Sequence, residues 1–235
     1  MRAGAAVPPV RSAPIPNSGL EIAATAVAPV FETAFCEQLE TVFRWRRDVR
    51  HFRCDALPIG MLERLLEVAD TAPSVGLSQP WRFVAVDDPA RRMAVRANFA
   101  ACNAAALAAQ GETRATIYAR LKLAGLDNAP CQLAVFVEPD PSQGHGLGRQ
   151  SMPEAVAFSA VIAIHSLWLV ARAHGVGLGW VSILDPTTMN AALDVPPHWR
   201  FVGYVCLGYP DAEADRPELE REGWETRRRT VLIAR

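Results

Sequence analysis

The stretch that most constrains this chain is AVAFSAVIAIHSLWLVA, Ala155 to Ala171, where only Ser159, His165 and Ser166 interrupt an apolar run. Wound into a helix, these three leave no polar stripe, so the helix is expected to be covered on nearly every side, at the centre of a core. Arg172 and His174 fall in its last turn, where cations complement the helix dipole, and Gly175 and Gly177 supply the stop. A membrane span is the rival reading. Against it, the run is only marginally long enough, holds a histidine midway and begins directly after Glu154. LGWVSIL then reads as a short buried strand, with Ser182 at its far end placed to face a site rather than bulk solvent.

A length of 235 residues suffices for one substantial domain or two small ones, and nothing marks a second. Residues 1–34, rich in Ala and Pro, are expected to be a flexible extension. Pro8 and Pro9 break its first apolar patch and Glu21 precedes the second, which makes a poor secretory signal. Residues 35–235 are then one domain. An apolar share of 50% and a charged share of 21% are those of a soluble globular protein, and a net charge of −1 gives no reason to expect nucleic acid as partner. The five cysteines are scattered, odd in number and without a C-x-x-C pair, so neither a zinc site nor a disulfide framework is expected. A cytoplasmic location fits that usage.

Phe35 to Trp45 carries apolar residues at helical spacing and leads into RWRRDVRHFR. Arginines this close repel one another unless an anion sits among them, and phosphate is the anion that their forks suit best. A solvated face is the competing explanation. Pro58 to Ala72 reads as an amphipathic helix that stops at Pro73. APSVGLSQPW follows, either an ordinary helix-to-strand turn or a loop lying along a flat heterocycle, and then the strand WRFVAV. Asp88 is placed to cap a long alanine-rich helix to about Gln110, and Glu112 to Leu123 reads as a second helix. With few large apolar residues, this pair is a candidate mobile cover over a site. Pro130 to Val137 is a strand, and HGLGRQ is a loop whose Arg149 is a free candidate for substrate contact. Asp185 and Pro186 start a short helix to Leu193, and WRFVGYVCLGY is another strand, so an α/β or α+β sandwich is expected. The charged end, with its apolar VLI, is either a solvated tail or an arm around a second subunit.

Taken together and in order, RRDVRHF, APSVGLSQPWRF, RLKLAG, GRQSMPE, LWLVARAHGVGLGWVSILDP and PELEREGW resemble the nitroreductase-like flavoproteins over roughly residues 35–230. The resemblance implies an α+β, three-layer fold with a central mixed sheet, helices on both faces, an extended C-terminal arm, and a homodimer that binds FMN at its interface. The family's Arg-x-Ser-x-Arg pattern, which contacts the flavin phosphate and ribityl chain, falls on Arg46, Arg47 and Arg50, with Asp48 in place of serine. Leu77 holds the asparagine position of the Pro-Ser-x-x-Asn-x-Gln-Pro-Trp turn. The flavin contacts so implied are Arg46, Arg47, Asp48, Val49 and Arg50, Pro73, Ser74, Val75, Gly76 and Gln79 in the turn, Leu123, Gly179, Trp180 and Ser182, and Arg227 near the end.

Asp48 and GWVSILDP with PELEREGW are similar to the branch of this family that consumes its flavin. That branch implies that reduced FMN is a substrate, fragmented with dioxygen into 5,6-dimethylbenzimidazole and D-erythrose 4-phosphate for the lower ligand of vitamin B12. No metal is implied. Electrons come indirectly from NAD(P)H through a separate flavin reductase. Asp48 and Ser182 are then the catalytic pair. An aspartate flanked by arginines stays ionised at neutral pH, which suits a weak base or a positioner, and a serine hydroxyl both donates and accepts. Asp48 pairing with Arg47 or Arg50 merely to hold the loop is the alternative local reading. A conventional FMN-dependent NAD(P)H nitro- or quinone reductase, or a non-catalytic flavin carrier, are the alternative functions.

Overall fold

The computed structural model describes residues 28–120 and 125–235; most of the expected extension, residues 1–27, and Leu123 lie outside the described residues. Helix α1 (Thr33–Trp45) begins two positions ahead of the expected start. It is followed by α2 (Met61–Ala69), a 3-10 turn (Val75–Leu77) and strand β1 (Trp81–Ala85). Next come α3 (Pro89–Ala108), α4 (Glu112–Arg120), α5 (Gly125–Asn128) and β2 (Cys131–Val137). The apolar run forms α6 (Ala155–Ala173), succeeded by β3 (Gly177–Val181), α7 (Pro186–Leu193), β4 (Arg200–Gly208) and the short α8 (Glu218–Arg221). Two aspartates act as the local sequence dictates. Asp88 Oδ1 accepts the Ala90 amide at 2.7 Å, and Asp185 Oδ1 accepts that of Thr187 at 2.9 Å, each capping a helix that opens on proline.

The four strands lie in the order β1-β2-β4-β3, and every pair of neighbours is antiparallel. The sheet expected to be mixed is therefore antiparallel through its strands, and among the described residues parallel pairing is confined to a bridge between Asp48 and Leu178. The reason is topological: β2 and β3, joined through α6, do run in the same direction, but β4 enters between them. Strand periodicity separates the two faces. Leu133, Val135, Val205 and Leu207 pack with Leu65, Ala69, Ile164 and Leu167 from α2 and α6, while Ala134, Phe136, Tyr204 and Cys206 meet Val95, Met189 and Leu193 from α3 and α7. Helices thus cover both faces, giving the three-layer α+β arrangement.

Helix α6 is long and apolar enough to cross a membrane by length and composition, yet Val156, Ala160, Ala163, Ile164, Leu167 and Ala171 are buried on the sheet. Burial of a leucine or isoleucine side chain contributes roughly 2 kcal/mol, so Ile164 and Leu167 anchor the layer. The expectation of cover on nearly every side is corrected: Phe158 is 54% exposed, and Val161 and Ile162 are 41% exposed. A sheet covers one side of a helix only, and α1, whose Phe35, Leu39 and Phe43 are themselves exposed, leaves part of the other side open. Arg149 is not free either. It donates to the Pro141 carbonyl at 2.8 Å and pairs with Asp140, because the glycine-broken loop folds back on itself.

The first half of α3 is tied down by its arginines. Arg92 donates to the carbonyls of Val86 (2.6 Å) and Pro130 (3.1 Å), and Arg96 to that of Leu126 (2.9 Å). Helix α4 is held in part by Tyr118, which donates to Asn103 Oδ1 at 2.9 Å and packs beside Trp224 of the C-terminal segment, and by Arg114, which lies over the same Trp224 ring.

Candidate active site

Beyond α1 the chain turns extended and lies along β3. The Val49 amide donates to the Leu178 carbonyl at 3.0 Å, and Asp48 Oδ1 accepts the Trp180 amide at 2.8 Å. This approach requires a glycine: a Cβ on Gly179 would stand 2.0 Å from the Val49 carbonyl oxygen. A cleft of about 360 Å³ opens beside residues 47–51, walled by Trp168 and Arg172 of α6 and by the loop at residues 210–216. A larger cleft of about 940 Å³ lies at the β1 side of the sheet, between Gln79, Arg82, Glu138 and Trp199, away from these groups.

Tertiary contacts sort the arginines. Arg44 pairs with Glu40 at 3.0 Å and Arg53 with Asp55 at 2.8 Å, both exposed. Arg47 spends its guanidinium on carbonyls, those of Ala214 (3.0 Å), Arg46 (2.7 Å) and Asp215. Arg46 instead lies over the Trp168 ring, 4.7 Å from its centroid, and has no acceptor for its N–H groups among the described residues. Arg50 Nε is buried without a hydrogen-bond partner and stands 3.7 Å from Asp48 Oδ2. The C-terminal segment brings Arg227 into the same field. Burial, then the neighbouring Arg227, pushes the pKa of both Arg46 and Arg47 down, and Arg47 also feels Arg46 and Arg172. Such a field favours an anion.

Asp48 departs from expectation in one respect. Its side chain is 37% accessible, yet burial, the largest influence, raises its pKa above the ordinary carboxylate value despite the opposing Trp180 amide, Arg50 and Arg46. The flanking arginines therefore do not hold the carboxyl low, because desolvation of the charged form outweighs them. Asp48 also does what the plainer reading required, tying residues 48–50 to β3. Ser182 lies just past the end of β3, exposed, two residues beyond the Trp180 amide that Asp48 accepts.

The implied turn residues lie elsewhere. The Val75 amide donates to Ser159 Oγ at 3.0 Å, and the Gln79 amide to Ser74 Oγ at 3.1 Å, so the turn is fastened to the N-terminal part of α6. Gly76, Leu77 and Gln79 take positive φ values of 58°, 54° and 40°. Arg47 is fastened to α6 at Trp168, whose Nε1 donates to its carbonyl at 2.9 Å. Ser159 and Trp168 are nine positions apart, about 13 Å along the helix axis. Within one chain, Arg46, Asp48, Arg50, Gly179, Trp180 and Arg227 are drawn together, with Ser182 two residues further along the chain from Trp180, while Pro73, Ser74, Val75, Gly76 and Gln79 form a separate group.

Trp168 and the Ala214 and Asp215 carbonyls were not expected here. A signal existed for the first: His165, Trp168 and Arg172 fall on one helix stripe, and each meets the arginine segment or its lead-in, through Phe43, Arg46 and Trp45 respectively.

The nitroreductase family profile matches residues 43–209. The chain is 56% identical over 207 residues to the 5,6-dimethylbenzimidazole synthase of Rhodospirillum rubrum, a match covering 88% of this chain and 98% of that protein. It is 51% identical over 195 residues to the protein of the same name from Rhodobacter capsulatus, covering 83% and 94%. Among solved structures, oxidized iodotyrosine deiodinase bound to FMN and 3-iodo-L-tyrosine superposes with a TM-score of 0.64 at 23% identity, over 84% of this chain and 97% of that one.

Proposed function

The chain belongs to the nitroreductase family, and from that premise we propose that it produces 5,6-dimethylbenzimidazole by fragmenting reduced FMN. The observation that carries this reading is the identity of more than half, over nearly the whole length, to the synthase of Rhodospirillum rubrum. D-Erythrose 4-phosphate is the second product and dioxygen the co-substrate in this proposal. The benzimidazole serves as the lower ligand of vitamin B12, and the reaction runs in the cytoplasm. NAD(P)H contributes only indirectly, through a flavin reductase that delivers the reduced flavin.

The local chemistry fits such a substrate. Arg46, whose N–H groups meet no acceptor among the described residues, and Arg227 offer charge to a phosphate, and the buried Arg50 Nε, 3.7 Å from Asp48, offers a donor with no hydrogen-bond acceptor among the described residues. Bound there, reduced FMN brings the electrons and the carbon skeleton from which the product is made. Asp48, anchored through Oδ1 and raised in pKa by burial, is suited to take a proton and hold it. Ser182, exposed two residues past the Trp180 amide that anchors that carboxyl, supplies a hydroxyl that donates or accepts.

A homodimer accounts for the separation of the two residue groups. A second copy would bring its own Pro73–Gln79 turn to the arginine side of the first. The exposed apolar residues of α1 and α6, and Val231, Leu232 and Ile233 of the C-terminal arm, support that assembly.

The deciding experiment binds chemically reduced FMN to the protein anaerobically, admits air and analyses the small molecules by mass spectrometry. Dimethylbenzimidazole is expected to appear as flavin disappears. Recovery of intact FMN from protein shown to have bound it, with sustained NAD(P)H oxidation by a nitroaromatic, would replace the synthase with a conventional reductase.

A further inference from the structure

We propose that Trp168 is a positioning residue that aims Arg46 at the flavin phosphate and so sets the preference for FMN over riboflavin. This rests on the reading of the arginine segment as a flavin phosphate site. Three contacts support it. Trp168 Nε1 donates to the Arg47 carbonyl at 2.9 Å, fixing the backbone directly after Arg46. The Arg47 guanidinium donates back to the Arg46 carbonyl at 2.7 Å and across to the Ala214 carbonyl at 3.0 Å, so the peptide units around Arg46 are held from two directions. The Trp168 ring then lies under the Arg46 guanidinium, 4.7 Å from centroid to Cζ.

An aromatic face attracts a cation without offering a lone-pair acceptor, so N–H groups directed away from the ring stay available to a ligand. A carboxylate in the same place would neutralise Arg46 and consume those donors. Trp168 therefore holds Arg46 in direction while leaving its charge and hydrogen bonds for a ligand. The neighbouring Arg47, whose donors are spent on carbonyls, shows the contrasting use of the same residue type.

The test is titration of oxidised FMN and of riboflavin against wild type, Trp168→Leu, Trp168→Phe, Arg46→Met and the double variant Trp168→Leu/Arg46→Met, followed by flavin fluorescence. Trp168→Leu is expected to weaken FMN about tenfold, the scale of one cation–π contact plus one hydrogen bond, and to leave riboflavin unchanged. Trp168→Phe retains a ring under Arg46 and loses only the N–H donor, so its loss is smaller. In the Arg46→Met background the tryptophan effect should shrink to a few-fold at most. Equal weakening of both flavins, equal loss in both backgrounds, or no loss in a folded variant overturns the proposal. Because oxidised flavin is only bound, failure to form dimethylbenzimidazole would refute the synthase and leave this result standing.

Discussion

Asp48 accepts the Trp180 backbone amide at 2.8 Å, so the one carboxylate among the segment's arginines is fastened to the strand that leads to Ser182. The bond fixes Oδ1. Oδ2 faces Arg50 at 3.7 Å, beyond an ordinary hydrogen bond, and remains the oxygen available for proton transfer.

Asp48→Asn should keep an acceptor for the Trp180 amide and lose the ionisable oxygen. FMN affinity is expected to stay within a few-fold, while benzimidazole formation falls by at least about 100-fold, the usual scale for a lost acid–base group. Stability should move the other way. A carboxyl whose folded pKa is raised contributes stability below its unfolded pKa and loses it as pH rises through the folded value. Thermal unfolding of both proteins between about pH 4 and pH 8 should therefore show the Asn variant gaining on wild type as pH rises. A constant difference across that range would contradict the raised pKa.

Ser182→Ala removes an exposed hydroxyl, and the unfolding free energy should change by no more than about 0.5 kcal/mol. Product formation should be lost with FMN still bound. Single-turnover product yield from prebound reduced FMN measures this, and a normal yield would remove Ser182 from the chemistry.

Gly179→Ala would drive a methyl group to 2.0 Å from the Val49 carbonyl oxygen, so residues 48–50 must move off β3. Overpacking of this kind costs about 1–3 kcal/mol, or roughly 2–12 °C in Tm for a chain of this size. FMN binding should weaken in parallel, since Asp48 and Arg50 move together. Calorimetry and flavin titration on the same sample check both effects.

Deleting residues 230–235 removes Val231, Leu232 and Ile233, which are 65–93% exposed in one chain. If this arm clasps a second copy, sedimentation should show the truncated protein dissociating at concentrations where the full chain is dimeric. An unchanged dimer would assign the arm no part in assembly.

Much of the fold was legible because its signals are local. The apolar run with its glycine stop marks α6 and β3, and Asp88 and Asp185 with the prolines after them mark the starts of α3 and α7. Each depends on residues within a turn or two of one another. The concentration of positive charge around Asp48 was equally readable, and like charges so close require a counter-charge or solvent.

What the amino-acid order determined by itself was the longer helices, the strands and the crowding of charge at residues 46–50. Tertiary structure alone decided how that chemistry is pointed. Arg47 and Arg46 are neighbours of the same type, yet one is consumed by carbonyls at Ala214 and Asp215, and the other lies over the aromatic ring of Trp168. Arg149 was lost to Asp140 and Pro141 in the same way, while α6 kept one apolar side open because a sheet covers only one face of a helix. The direction of a guanidinium and the cover over a helix depend on which distant groups arrive, and only the packed chain brings them there.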